Sequence, residues 1–284
     1  MIQSDKDITL IATTYMGKPA PATSLLAVAA VGAWAATFLL VVWGYLPLIV
    51  AFVLVSYLVY VTYTPLHEAV HNNIAGSNRK LRWLNELTGY LVASVLGVSY
   101  TMHKSAHLAH HRKTNIKPDD PDLVYEGKML YDFFTGGPKM MANEYREYFI
   151  RIFPSAATRE KRVVILEIIV FIGLRIALAI PFPLEVLVLG VLANVAGVMI
   201  LGFIFAWLVH TPFTETARFR NTNTILMPEP VHTPVTWLWL WQNYHSIHHL
   251  FPRVPFFHYR ALFEKIRPGM VERGAPIVEM GAST

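Results

Sequence analysis

The stretch PAPATSLLAVAAVGAWAATFLLVVWGYLPLIVAFVLVSYLVYVTYTPLHEAVH, from Pro19 to His71, decides how this chain is read. No charged residue occurs between Pro19 and Leu66, and the Gly44 to Pro47 turn divides the run into two arms. Each arm has the length of about 20 residues that a helix needs to cross a bilayer core. The second arm ends on His67 and His71, a spacing of four that puts both imidazoles on one helical face. The stretch therefore predicts a membrane hairpin that delivers two imidazoles to one membrane surface.

A second apolar block runs from Val163 to His210, broken by Pro181, Pro183 and Glu185, and its length also fits two spans. Leu84 to Tyr100 is charged only at Glu86 and is too short to cross, which reads as a re-entrant or interfacial segment. The expected fold is an all-α integral membrane protein with about four transmembrane helices under a cytosolic helical cap. As one domain it divides into residues 1–18 (cytosolic N-terminus), 19–66 (hairpin), 67–162 (two histidine clusters and polar chain), 163–210 (hairpin) and 211–284 (polar region with a third cluster). Asp5 and Asp7 precede a first apolar run longer than a signal-peptide core, so the first span is expected to stay as an anchor.

Composition agrees with this plan. With 54% hydrophobic and 15% charged residues over 284 positions, the chain cannot hide its apolar surface in water, and it has too little charge to be disordered. Of its 24 Lys and Arg, all but Arg175 fall on one side of a four-span arrangement, which the positive-inside rule places in the cytoplasm with both termini. Arg175 is expected about one turn from the far end of its span, snorkelling to the interface. The net charge of +5 then reflects topology and anionic lipid, not nucleic acid, since no basic module or stacking platform accompanies it. Cysteine is absent, which excludes disulfides, thiolate metal sites and thiol nucleophiles, while histidine occurs twelve times. Metal chemistry here has to use imidazole.

The histidines fall in three clusters. His67 and His71 form the first. In the second, His103, His107, His110 and His111 share one helical face, and in the third His245 reaches His248 and His249 in the same way. Each cluster lies on the side assigned to the cytoplasm. A four-coordinate zinc would be saturated by four imidazoles, so this number calls for more than one metal ion. His232 and His258 stand alone beside Pro or aromatic residues and read as structural.

The boxes His67 to His71 (HxxxH), His107 to His111 (HxxHH) and His245 to His249 (HxxHH), with apolar pairs before the first and between the second and third, resemble those of the membrane-bound fatty acid desaturase superfamily. The resemblance covers roughly Leu46 to Ile266. It implies two non-haem iron ions, oxygen activation, and insertion of oxygen or removal of hydrogen at an unactivated C–H bond of a lipid. The superfamily is also expected to take a ligand from its last membrane helix, for which His210 is the match. The implied ligand set is His67, His71, His107, His110, His111, His210, His245, His248 and His249. His103 departs from the simple box and reads as an alternative ligand or as a partner of a ligand. Metal-bound imidazoles usually give their second N–H to a carboxylate or carbonyl, for which Asp119, Asp120, Asp122, Glu68, Gln242 and Asn243 are candidates.

The stretch after box three, His245 to Ile277, and the Asp119-Asp-Pro-Asp122 run look more similar to bacterial beta-carotene hydroxylases than to acyl desaturases. The resemblance therefore points to carotenoid ring hydroxylation in a bacterial inner membrane, with acyl desaturation or hydroxylation as the alternative. A non-enzymatic metal- or haem-binding membrane protein is the reading from another class. No flavin, nicotinamide or haem motif is visible, so O2 chemistry needs an external electron donor such as ferredoxin, steered by the basic face. The substrate is expected to enter sideways from the bilayer, past Tyr60, Tyr63 and Thr64, past Val98, Tyr100 and Thr101, or past Phe203, Phe205, Ala206 and Trp207.

Overall fold

The computed structural model describes residues 3–125 and 129–281. Helix α1 (Asp5–Thr13) is started by Ser4, whose hydroxyl accepts from Asp7 N while Asp7 answers with its carboxylate, the reciprocal capping box. The first long helices, α2 (Pro21–Val42) and α3 (Leu48–Val70), form the hairpin read from the sequence. Gly44 supplies the left-handed φ of +75° at its turn. Every residue from Val59 to Val70 of α3 is buried, because α2, α4 (Arg82–Leu96) and α8 (Pro183–His210) all pack against it. At Gly197 of α8 the helix comes close to α3, and a Cβ there would stand 2.5 Å from Val59 Cβ. Small residues let membrane helices approach this closely.

Helices α2, α3 and α8 are long and apolar enough to cross a membrane. The fourth expected span is α7 (Thr158–Ala179), which pairs with α8 across the turn around Pro181. It carries Glu167 and Arg175, yet its outward side chains, among them Leu166, Ile169, Val170 and Ile176, are apolar and more than half exposed. Such a flank belongs against lipid.

The short segment before box two is α4, which ends at Gly97 in the left-handed conformation. Arg175 differs from its expected role. Instead of snorkelling, its guanidinium donates to Ser94 O at 3.0 Å and Val95 O at 2.9 Å, and Asn194 Nδ2 donates to Val95 O at 2.7 Å. The last carbonyls of α4 have no intrahelical partners, and among apolar helices only side chains are at hand to satisfy them. A charge that looks misplaced in α7 is thus the cap of a neighbouring helix.

The polar segments build the cap. Ser99 accepts from Met102 N to start α5 (Tyr100–Lys113), which bears box two, and α6 (Met129–Glu147) lies alongside. After α8, a three-residue strand β1 (Thr224–Leu226) and helix α9 (His232–Leu238) lead to α10 (His245–Leu250), which carries box three. Helix α11 (Tyr259–Glu272) packs on α10 and on α1, where Arg273 Nε bonds Asp5 at 2.8 Å. Strand β2 (Ile277–Glu279) then pairs in parallel with β1, Thr224 opposite Ile277. This two-stranded ladder is a departure from an all-helical cap. It ties the last chain segment to the loop between α8 and box three.

Candidate metal centre

Box one is the last turn of α3, box two the second half of α5, box three the short α10, and His210 the last residue of α8. In α8 a widened turn at Gly202–Trp207 precedes His210. Such turns change the phase of the residues that follow. Phe205 and Ala206 then join His210 in one cavity wall.

The histidines converge on two points. Ligand atoms of His67, His71, His107, His111 and His248 all lie within 4.8 Å of one another. His107 Nε2 is 3.0 Å from both His71 Nε2 and His111 Nε2, and His248 Nε2 is 2.7 Å from His111 Nε2. His110, His210 and His249 form a second group of the same compactness. His245 joins it, with its Nε2 3.1 Å from His249 Nε2 and its ring 5.1 Å from that of His210. The groups adjoin where the His111 and His249 rings stack, centroids 4.4 Å apart.

This arrangement fits metal ions. Imidazole nitrogens bound to one ion at about 2.0–2.1 Å stand roughly 3 Å from each other. Both ring nitrogens of His67 are buried without a hydrogen-bond partner, which a protein tolerates where an ion takes that place. Burial pushes His71 down to about 3 and holds His107, His111, His245, His248 and His249 well below the ordinary imidazole range. These rings are therefore neutral at pH 7, with a lone pair free for a metal.

The supporting groups are partly those expected. Asp120 Oδ1 takes the His110 Nδ1 hydrogen at 2.8 Å, and its oxygens also accept from Asp122 N at 2.9 Å and Asn115 N at 2.7 Å. Asp122 Oδ2 lies 3.5 Å from His110 Nδ1. Burial draws the His110 pKa down, but the Asp122 and Asp120 carboxylates outweigh it and raise the net value. Asp119 faces solvent, 3.6 Å from Lys113, and touches no histidine. Gln242 holds its own loop by donating to Leu240 O, and Asn243 ties that loop to β1 by donating to Ile225 O. Glu68 acts at one remove: Tyr259 Oη, 3.0 Å from His248 Nδ1, points to Glu68 Oε1 at 3.4 Å, and Glu68 Oε2 accepts from Phe256 N.

His103 stands outside both groups. Its Nδ1 is 2.8 Å from Glu144 Oε1 and its ring packs edge-on against Tyr63. Burial again works against protonation, and Glu144 raises the His103 pKa in spite of it. Tyr259 and Glu144 escaped the sequence reading because each comes from an element distant in sequence or sits among ordinary helix residues, with no local pattern to mark it. His232 is structural as expected: it accepts from Met227 N at 3.1 Å and meets Tyr244 Oη at 2.7 Å. His258 packs its ring against Tyr15 and Phe257.

Beneath the second group lies a small cavity of about 10 Å³, walled by Tyr63, Met140, Leu201, Phe205 and Ala206 together with His107, His110, His210 and His245. It has room for little more than a water-sized molecule. Of the expected entry residues, Tyr63, Phe205 and Ala206 form this wall. Tyr60 instead donates to Trp239 O, Tyr100 to Ala69 O, and Phe203 stacks on Trp207.

A base of membrane helices under a cap of converging buried imidazoles defines a membrane protein with a polyhistidine site able to hold metal. The family model described as fatty acid desaturase matches residues 44–281, and the chain belongs to the fatty acid desaturase family. It is accordingly an oxidoreductase that acts on a lipid with O2 and an electron donor. No curated protein matches the chain.

Proposed function

We propose that the chain is a di-iron oxygenase that hydroxylates the ring of a carotenoid such as beta-carotene, with electrons from ferredoxin or a similar small donor. One observation carries the di-iron reading: nine imidazoles from four separate helices gather at two adjoining points. His67, His71, His107, His111 and His248 would hold one iron, and His110, His210, His245 and His249 the other. Irons bound there supply oxygen reduction and the attack on an unactivated C–H bond. The protein's own work is to keep His71, His107, His111, His245, His248 and His249 neutral by burial and to fix the orientation of the set. Asp120 keeps the His110 hydrogen on Nδ1, which leaves Nε2 for metal, and Tyr259 steadies His248.

Support for a carotenoid comes from the Asp119 to Asp122 run and the sequence after box three, together with the apolar wall of Tyr63, Leu201, Phe205 and Ala206 beside the histidines. The family match favours an acyl lipid as the second reading. The enzyme would work at the cytoplasmic face of a bacterial inner membrane, from the one-sided placement of Lys and Arg. Two measurements test these statements. Purified protein should carry about two irons per chain, and one zinc or a haem absorption band would sink the assignment. Expression in cells that accumulate beta-carotene should yield hydroxylated rings. Unchanged carotene alongside altered acyl chains would select the acyl reading.

A further inference from the structure

A second cavity meets the metal centre from the polar side. It holds about 210 Å³ and is enclosed by Asn115, by the loop after His210 including Glu215, Arg220, Asn221 and Asn223, and by Pro276 of the last segment. Its mouth is open: Arg220 and Pro212 are exposed, whereas Asn115, Asn223 and His210 at its inner end are each less than a tenth exposed. His210 belongs to the wall of this cavity and of the small one beside the histidines, so it stands between the two.

Three buried polar atoms with no hydrogen-bond partner belong to residues of this wall: Asn115 Oδ1, Asn221 Oδ1 and His210 Nδ1. The amide of Asn115 spends its donors on Glu215 O at 2.7 Å and Asn221 O at 2.9 Å, and that of Asn223 on Leu208 O and Thr211 O. What is left is acceptor capacity and one imidazole nitrogen. Ordered water needs polar neighbours and a space larger than one probe sphere; the cavity has the space, and Asn115, Thr211, Glu215, Arg220 and Asn223 in its wall are polar. His110 and His248 have their second nitrogen held by Asp120 and Tyr259, whereas among the described residues none takes that role for His210, nor for His245 Nδ1.

We propose that this cavity is the aqueous port of the metal centre, holding a chain of water against His210 through which protons enter and product water leaves. The inference rests on the oxygenase reading. Inserting one atom of O2 into a C–H bond and reducing the other to water consumes two electrons, supplied by the donor protein, and two protons, and it releases one water. The small cavity, at about 10 Å³, has no room for a chain of water that would carry either. The port is separate from the small cavity beside the histidines, and His210 is the residue that both linings share.

The chain has no cysteine, so single thiols can be placed without background. Asn221→Cys on one wall and Pro276→Cys on the other would be treated with a charged methanethiosulfonate reagent, with Ser105→Cys, in a separate cap cavity, as control. The readouts are labelling rate, release of iron to a hydrophilic ferrous chelator, and turnover. Both wall thiols should label from water, and the label should slow iron release and turnover by about tenfold, the effect of a modest added barrier, while label at 105 changes neither. Failure of both wall thiols to label overturns the port whatever the metal content, as does labelling that leaves iron release and turnover unchanged. Two wall variants guard against one failing to fold. Iron content before labelling reports on the oxygenase reading separately.

Discussion

Replacing Asp120 with Asn changes one atom and asks whether the acidic turn after box two serves the metal or only the turn. The carboxylate accepts three hydrogens at once: His110 Nδ1–H at 2.8 Å and Asp122 N–H at 2.9 Å on Oδ1, and Asn115 N–H at 2.7 Å on Oδ2. An amide has one acceptor oxygen, so in either orientation its NH2 group faces a donor. If the oxygen stays with His110, the buried Asn115 N–H is stranded at a cost of about 1–3 kcal/mol of fold stability. If it turns to Asn115, His110 loses the acceptor that keeps its hydrogen off Nε2. Loss of such a partner typically lowers metal affinity about 10- to 100-fold, which corresponds to roughly 1.4–2.7 kcal/mol. The assay is iron occupancy and chelator competition on purified Asp120→Asn, with Asp119→Asn as the comparison. Asp119 is half exposed and pairs with Lys113, so its loss should shift neither stability nor iron by more than about 1 kcal/mol. If Asp120→Asn binds iron as tightly as the unaltered protein, His110 is not held in the way described.

Other perturbations test separate parts of the reading. Ala substitution of any one of His67, His71, His107, His110, His111, His245, His248 or His249 should abolish turnover while the protein remains membrane-inserted; near-normal turnover in two such variants would refute the two-iron assignment. Ala206→Phe fills the wall of the small cavity and should alter the position oxidised, or the rate, at normal iron content; an unchanged product pattern and rate would place the substrate elsewhere. The metal-free protein should lose stability on acidification. His71 lies near 3 when folded and about 6.5 when unfolded, so the unfolded chain binds the extra proton as pH falls below about 6.5; melting points that stay flat between about pH 7 and pH 5 would contradict its burial. Reporter tags at both ends, beside residues 1–2 and 282–284 outside the described part, should both report the cytoplasm.

The sequence by itself determined the membrane hairpins and the three imidazole faces. Both are periodic or run-length signals: a charge-free run from Pro19 to Leu66 has no stable home but a bilayer, and His67 and His71 share a face on any helix. It also marked the Asp119 to Asp122 run, which follows box two closely enough to turn back on it, though only the structure picks Asp120 out of that run. Tertiary structure alone decided how the nine histidines divide. His107 and His111 join the His67 group, yet His110, between them on the same helix, turns to His210 and His249, because each ring follows the neighbour that α3, α8 or α10 brings to it. The same holds for Arg175, which capping of Ser94 O and Val95 O draws inward, and for Tyr259 and Glu144, whose partners lie on other helices. Local spacing sets which side chains share a face, whereas packing between distant segments sets what that face meets.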